Sequence, residues 1–135
     1  MDDSKKRILI IEDDEEMRSL LKDVIEEEGY EAESVEKGTY AFRKVMTKSF
    51  AVIITDVRMP GFSGLDILPG LRKLQPETPI IVITAFGSEE VHRKALERGA
   101  SAYLEKPIRM EELRTLIHDV SFSSGRWQGC KREIH

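Results

Sequence analysis

Four short apolar runs restrict what this chain can fold into: "ILII" at 8–11, "AVII" at 51–54, "IIVI" at 80–83 and "AYL" at 102–104. Runs of this length, rich in β-branched residues and apolar at successive positions, are the pattern of strands buried on both faces. A weaker segment from Glu31 to Val35, where Ala32 and Ser34 alternate with Glu31, Glu33 and Val35, predicts an edge strand. Between these runs the apolar period becomes helical. Met17, Leu20, Leu21, Val24 and Ile25 recur at i, i+3, i+4, i+7 and i+8 on a helix that ends near Gly29. Further helices are predicted over Gly38 to Met46, with Ala41, Phe42 and Val45 inward, and from a cap at Ser63 through Leu65, Leu68, Leu71 and Leu74. Two more follow Ser88 (Val91, Ala95 and Leu96, stopped by Gly99) and use Met110, Leu113, Leu116, Ile117 and Val120. Pro69 removes a backbone hydrogen bond from the third helix and predicts a kink or an irregular first turn there. Strand and helix alternate five times, which calls for a parallel sheet with right-handed crossovers and helices on both faces, a doubly wound α/β domain.

A chain of 135 residues is the size of one domain, expected here over residues 1–120. Residues 121–135, "SFSSGRWQGCKREIH", lack periodicity and are expected to form a flexible C-terminal tail. No apolar stretch approaches the roughly 20 residues of a membrane span. The start "MDDSKKR" has no apolar signal core, and the single Cys130 has no internal disulfide partner. A cytoplasmic location is therefore expected. A formal net charge of −4 with interspersed signs disfavours direct nucleic-acid binding, which draws on a concentrated basic patch.

In open parallel sheets the functional crevice lies beyond the carboxyl ends of the strands. The residues there are Glu12, Asp13 and Asp14 after the first run, Asp56 after the second long run, Thr84 and Ala85 after the next, and Glu105, Lys106 and Pro107 after the last. Asp13 or Asp14 suits a helix cap, and Glu15 and Glu16 suit the positive end of that helix. Capping needs one carboxylate, however. If the strands at 8–11 and 51–54 are neighbours, Glu12, Asp13 and Asp56 converge, and charges about 5 Å apart repel by roughly 3 kcal/mol per pair at an effective dielectric near 20. Either a hard cation such as Mg²⁺ offsets that repulsion or the residues form a solvated acidic rim. Lys106 is a surface amine or the cation that pairs with Asp56 or with a phosphoryl group on it. Thr84 is a strand-end threonine or a donor to phosphate. Gly61 and Gly64 fit a mobile loop, and no Walker-type phosphate loop is present.

The segments "ILIIEDDEEMR", "VIITDVRMPGFSGLDIL", "IIVITA" and "GASAYLEKPI" together resemble the receiver domain of two-component response regulators over about residues 6–120, of the chemotaxis-protein-like and nitrogen-regulator-like kind. The resemblance implies a flavodoxin-like (βα)5 fold with strand order 2-1-3-4-5. It implies that Asp56 accepts a phosphoryl group from a sensor histidine kinase, with Mg²⁺ held by Glu12, Asp13, Asp56 and the Arg58 carbonyl. Thr84 and Lys106 would contact the phosphoryl oxygens, Ala85 would leave room for the movement of Thr84, and Tyr103 would be the aromatic switch that turns inward. The Lys106–Pro107 bond would be cis. A downstream effector or a second copy of the chain would read the altered surface, so the domain is a signalling switch that assists its own phosphorylation and dephosphorylation rather than an enzyme. Arg58 and Phe86 either shield the phosphoryl group from water and prolong its life or point to solvent and matter little. The alternative is a phosphorylation-independent docking module; such pseudo-receivers typically lose an acid or the lysine, and this chain keeps them. A hydrolase with an aspartyl nucleophile would need an acid two residues past Asp56, where Arg58 stands.

Overall fold

The computed structural model describes residues 7–59, 62–85 and 89–122. Gly61, Phe86, Ser88, Cys130 and the rest of the segment beyond 122 lie outside the described residues, as do the side chains of Arg58 and Ser63. Five strands, β1 (Arg7–Ile11), β2 (Glu31–Val35), β3 (Val52–Asp56), β4 (Ile80–Thr84) and β5 (Ala102–Glu105), alternate with α1 (Glu15–Glu27), α2 (Gly38–Thr47), α3 (Gly64–Leu74), α4 (Glu89–Glu97) and α5 (Met110–Phe122). The strands pair in parallel in the order β2-β1-β3-β4-β5, so Glu31–Val35 is an edge, and the order is the one that the resemblance implies.

Side-chain alternation along the strands divides the core into two layers. Ile8, Ile10, Val52, Ile54, Ile81 and Ile83 pack under α1 and α5. Leu9, Ile11, Ile53, Ile80, Val82 and Tyr103 pack under α2, α3 and α4. Each strand is apolar at successive positions because both faces are covered. Two positions expected inward are not: Leu20 and Leu74 are each 44% exposed. On α1 the buried face narrows to Leu21, Val24 and Ile25, and on α3 Ile67 is buried while Leu74 is the last residue of the helix. The helix α3 runs unbroken through Pro69, held by burial of Leu65, Ile67, Leu68 and Leu71. The segment after Asp56, expected as a flexible loop, carries a two-residue antiparallel pairing of Arg58 with Ser63 and Met59 with Phe62.

One buried polar side chain ties the end of α3 to α2 and to the segment that leads into β3. Gln75 Nε2 donates to the carbonyls of Val45 (3.0 Å) and Lys48 (2.9 Å), and its Oε1 accepts from the Phe50 N–H (3.3 Å). Gln75→Leu deprives three backbone groups of this partner and is expected to cost about 2–3 kcal/mol. A lower denaturation midpoint at unchanged slope is the measurement.

Candidate functional site

The sheet register builds the site. Ile11 pairs with Thr55, so the next residues, Glu12 and Asp56, leave adjacent strands side by side at the point where the strand order reverses. Both are buried, Glu12 1% and Asp56 5% exposed, and Asp13 is the more open of the three acids. Carboxylate oxygens of Glu12, Asp13 and Asp56 lie within 4.8 Å of one another. Lys106 reaches across from the end of β5. Its Nζ stands 2.9 Å from Asp56 Oδ2 and 3.3 Å from Glu12 Oε1, while its backbone N–H donates to the Thr84 carbonyl at 2.8 Å. The Lys106–Pro107 peptide is cis.

Local structure holds the acidic loop. Asp14 is the N-cap of α1, accepting the Met17 N–H at 2.9 Å, which leaves Asp13 for the crevice. The Asp14 N–H donates to Glu12 Oε2 at 3.2 Å. Arg18 Nη1 donates to the carbonyls of Glu12 (2.9 Å) and Asp13 (3.1 Å). On the other side Gly64, the first residue of α3, donates its N–H to the Val57 carbonyl, and a Cβ built on it would overlap the Asp56 carbonyl oxygen. Gly64 is therefore a buried contact to the backbone of Asp56, not part of a mobile loop.

Thr84 ends β4 and is buried, one residue past Ile83, the partner of Asp56 in the register; Ala85 after it is exposed. Tyr103 is already inside. Its ring stacks on His92 of α4 at 4.4 Å between centroids and 10° between planes, and its buried hydroxyl has no hydrogen-bond partner among the described residues. Burial, with the charge of Glu105, pushes the Tyr103 phenol up. The structure thus gathers Glu12, Asp13, Asp56 and Lys106 in one pocket, places Thr84 on the next strand end, and sets Tyr103 beneath α4. Arg18, Gly64, His92 and the contact from Lys106 to Glu12 were not anticipated. The one signal for Arg18 was a cation in the first turn of a helix, where the dipole favours acids.

Burial, then the hydrogen bond and negative charge of Asp56, raise Glu12 to about 7. For Lys106 burial acts downward, but Asp56 and Glu12 outweigh it and hold the amine above the ordinary lysine value. The sign for Glu12 is that of a raised acid: its contribution to stability is fully present below the unfolded value of 4.5 and is lost as pH rises through about 7. The cation-free protein is therefore expected to lose thermal stability between pH 5 and 8, and Glu12→Gln to remove most of that slope, as read by melting at each pH.

The donor set fits Mg²⁺. The ion binds hard oxygens at about 2.0–2.1 Å in an octahedron, which puts opposite ligands roughly 4 Å apart. The three acids come within a small adjustment of that span.

The family model of the response regulator receiver domain matches residues 8–118. The transcriptional regulatory protein CpxR of Escherichia coli (strain K12) is 39% identical over 114 residues, 84% of this chain and 48% of CpxR. This chain spans between about a quarter and about half of the length of the relatives it matches in sequence. Among solved structures it is similar to a CheY-like response regulator receiver domain protein from Methanospirillum hungatei JF-1, with TM-score 0.84 and 30% identity over 87% of this chain and 94% of that one. It is also similar to the beryllofluoride-activated NtrC4 receiver domain dimer, with TM-score 0.83 and 33% identity over 87% and 98% of the two chains. No described helix is long and apolar enough to cross a membrane.

Proposed function

The chain belongs to the response regulator receiver domain family, the phosphoryl-accepting signalling domains of two-component systems, and we propose that it accepts its phosphoryl group on Asp56 in a Mg²⁺-dependent reaction. The observation that carries this reading is the bridge from Lys106 Nζ to Asp56 and Glu12 inside a pocket of three converging carboxylates. A carboxylate oxygen of Asp56 attacks phosphorus in line, the P–N bond of a kinase phosphohistidine breaks, and the imidazole keeps the electron pair. Glu12, Asp13, Asp56 and the Arg58 carbonyl would hold Mg²⁺, which supplies neutralisation of the phosphoryl charge. Lys106 stays paired with the oxygens gathering on Asp56, and Thr84 donates its hydroxyl to one of them.

Movement of Thr84 toward the phosphoryl group is transmitted along β4 and β5 to Tyr103, changing the face made by α4, β5 and α5. A downstream effector or a second copy reads that face in the cytoplasm, while a sensor histidine kinase supplies the phosphoryl group. The domain expected over residues 1–120 carries this switch, with α5 continuing to Phe122. The test is incubation of the chain with acetyl phosphate, with and without Mg²⁺, read by intact mass. One added phosphoryl group only with Mg²⁺ is expected. No addition overturns the phosphoacceptor role, and equal addition in a chelator overturns the cation dependence.

A further inference from the structure

The geometry points to Arg18 as a positioning residue that braces the cation-binding loop, an assignment that rests on the Mg²⁺ reading of the site. Three carboxylates within 4.8 Å repel one another, and the chain after β1 relieves that repulsion if it swings outward. Glu12 is anchored by Lys106 and by the Asp14 N–H. The Asp13 carboxylate accepts no hydrogen bond from a described side chain, so its position is set by its backbone. That backbone is held by Arg18: the two hydrogens of one terminal nitrogen go to the carbonyls of Glu12 and Asp13, at 2.9 and 3.1 Å.

The placement has a structural cause. Arg18 lies in the first turn of α1, and its own N–H makes the helical bond to the Asp14 carbonyl at 2.9 Å. Helical side chains lean toward the N-terminus, which carries the guanidinium back over the loop. A cation there opposes the helix dipole, and Glu15 and Glu16 are the residues that suit it. The carbonyl contacts account for the exception. Only a side chain of this reach with two hydrogens on one nitrogen spans both carbonyls while the helix continues undisturbed.

The sign of the effect separates bracing from charge. A positive group near a cation site repels the cation, so if charge were all that Arg18 contributed, Arg18→Met would bind Mg²⁺ more tightly. As a brace, its loss weakens binding, by roughly 10-fold for an outer group that orients metal ligands. The experiment titrates Mg²⁺ into the native chain, Arg18→Met and Arg18→Lys, following backbone amide shifts of residues 12–14 and 56–57. Amide exchange at Asp14 is measured without cation, and phosphorylation by acetyl phosphate as a function of Mg²⁺. Arg18→Met is expected to need about 10-fold more Mg²⁺ yet to reach the native maximal rate at saturation. Its Asp14 amide should exchange faster, and Arg18→Lys, one bond shorter, should fall between. Equal or tighter Mg²⁺ binding by Arg18→Met overturns the assignment, as does a lowered maximal rate at saturating Mg²⁺ with unchanged affinity. If the native chain itself binds no Mg²⁺, the cation reading fails and the brace with it, whereas native binding with an unaffected variant refutes the brace alone.

Discussion

Gly64→Ala is expected to be the most damaging single-methyl addition among Gly29, Gly64 and Gly70. The added carbon would overlap the carbonyl oxygen of Asp56 and crowd Val57 Cα, all of it backbone. Neither α3 nor β3 yields easily, because Leu65, Leu68, Ile53 and Ile54 are buried on both sides of the contact. The comparison positions bracket the effect. At Gly70 the new carbon meets the Phe42 ring at 2.7 Å, and a half-buried ring can turn away. At Gly29 nothing lies within 4 Å, and only the backbone angle of +91° opposes a side chain. Gly64→Ala is expected to cost about 3 kcal/mol or more, against roughly 1 kcal/mol at Gly29. Because the displaced atoms belong to Asp56, phosphorylation should also fall more than at the other two positions. A melting temperature within a degree or two of native, with native phosphorylation, would remove this contact from the account.

Asp56→Asn should abolish phosphorylation while making the cation-free protein more stable near pH 8. The amide has no carboxylate oxygen with which to attack phosphorus, so intact mass after acetyl phosphate and Mg²⁺ should be unchanged. Its side-chain oxygen still accepts from Lys106, and one of three mutually repelling charges is gone. The gain is on the order of 1 kcal/mol. Loss of Mg²⁺ response in the melting curve should accompany it. A variant that is phosphorylated as fully as the native chain would exclude Asp56.

Much of this was legible in the residues. The runs at 8–11, 51–54 and 80–83 are apolar at every position because helices cover both faces of the sheet, and that alone sets the alternation and the doubly wound architecture. Glu12 and Asp56 could be paired in advance because each ends such a run. What stayed hidden depends on distances between elements that pattern does not specify. Arg18 contacts carbonyls, which have no sequence identity, and Gly64 matters only once α3 docks on the end of β3. Nor does the alternation of the edge strand show that Arg7, Lys44 and Lys48 close around Glu33 at 3.0, 2.9 and 3.1 Å. Leu20 and Leu74 fit the helical period but fall outside the narrower stripe that the sheet covers.

The most direct test of the central claim is to locate the phosphoryl group in the native chain. Borohydride reduces an acyl phosphate to an alcohol, so phosphorylated protein treated with it and cleaved for peptide mapping carries a permanent mark on the acceptor. The mark is expected on Asp56, in Mg²⁺-containing samples alone. A mark on Asp13 or another acid, with Asp56 unmodified, would contradict it.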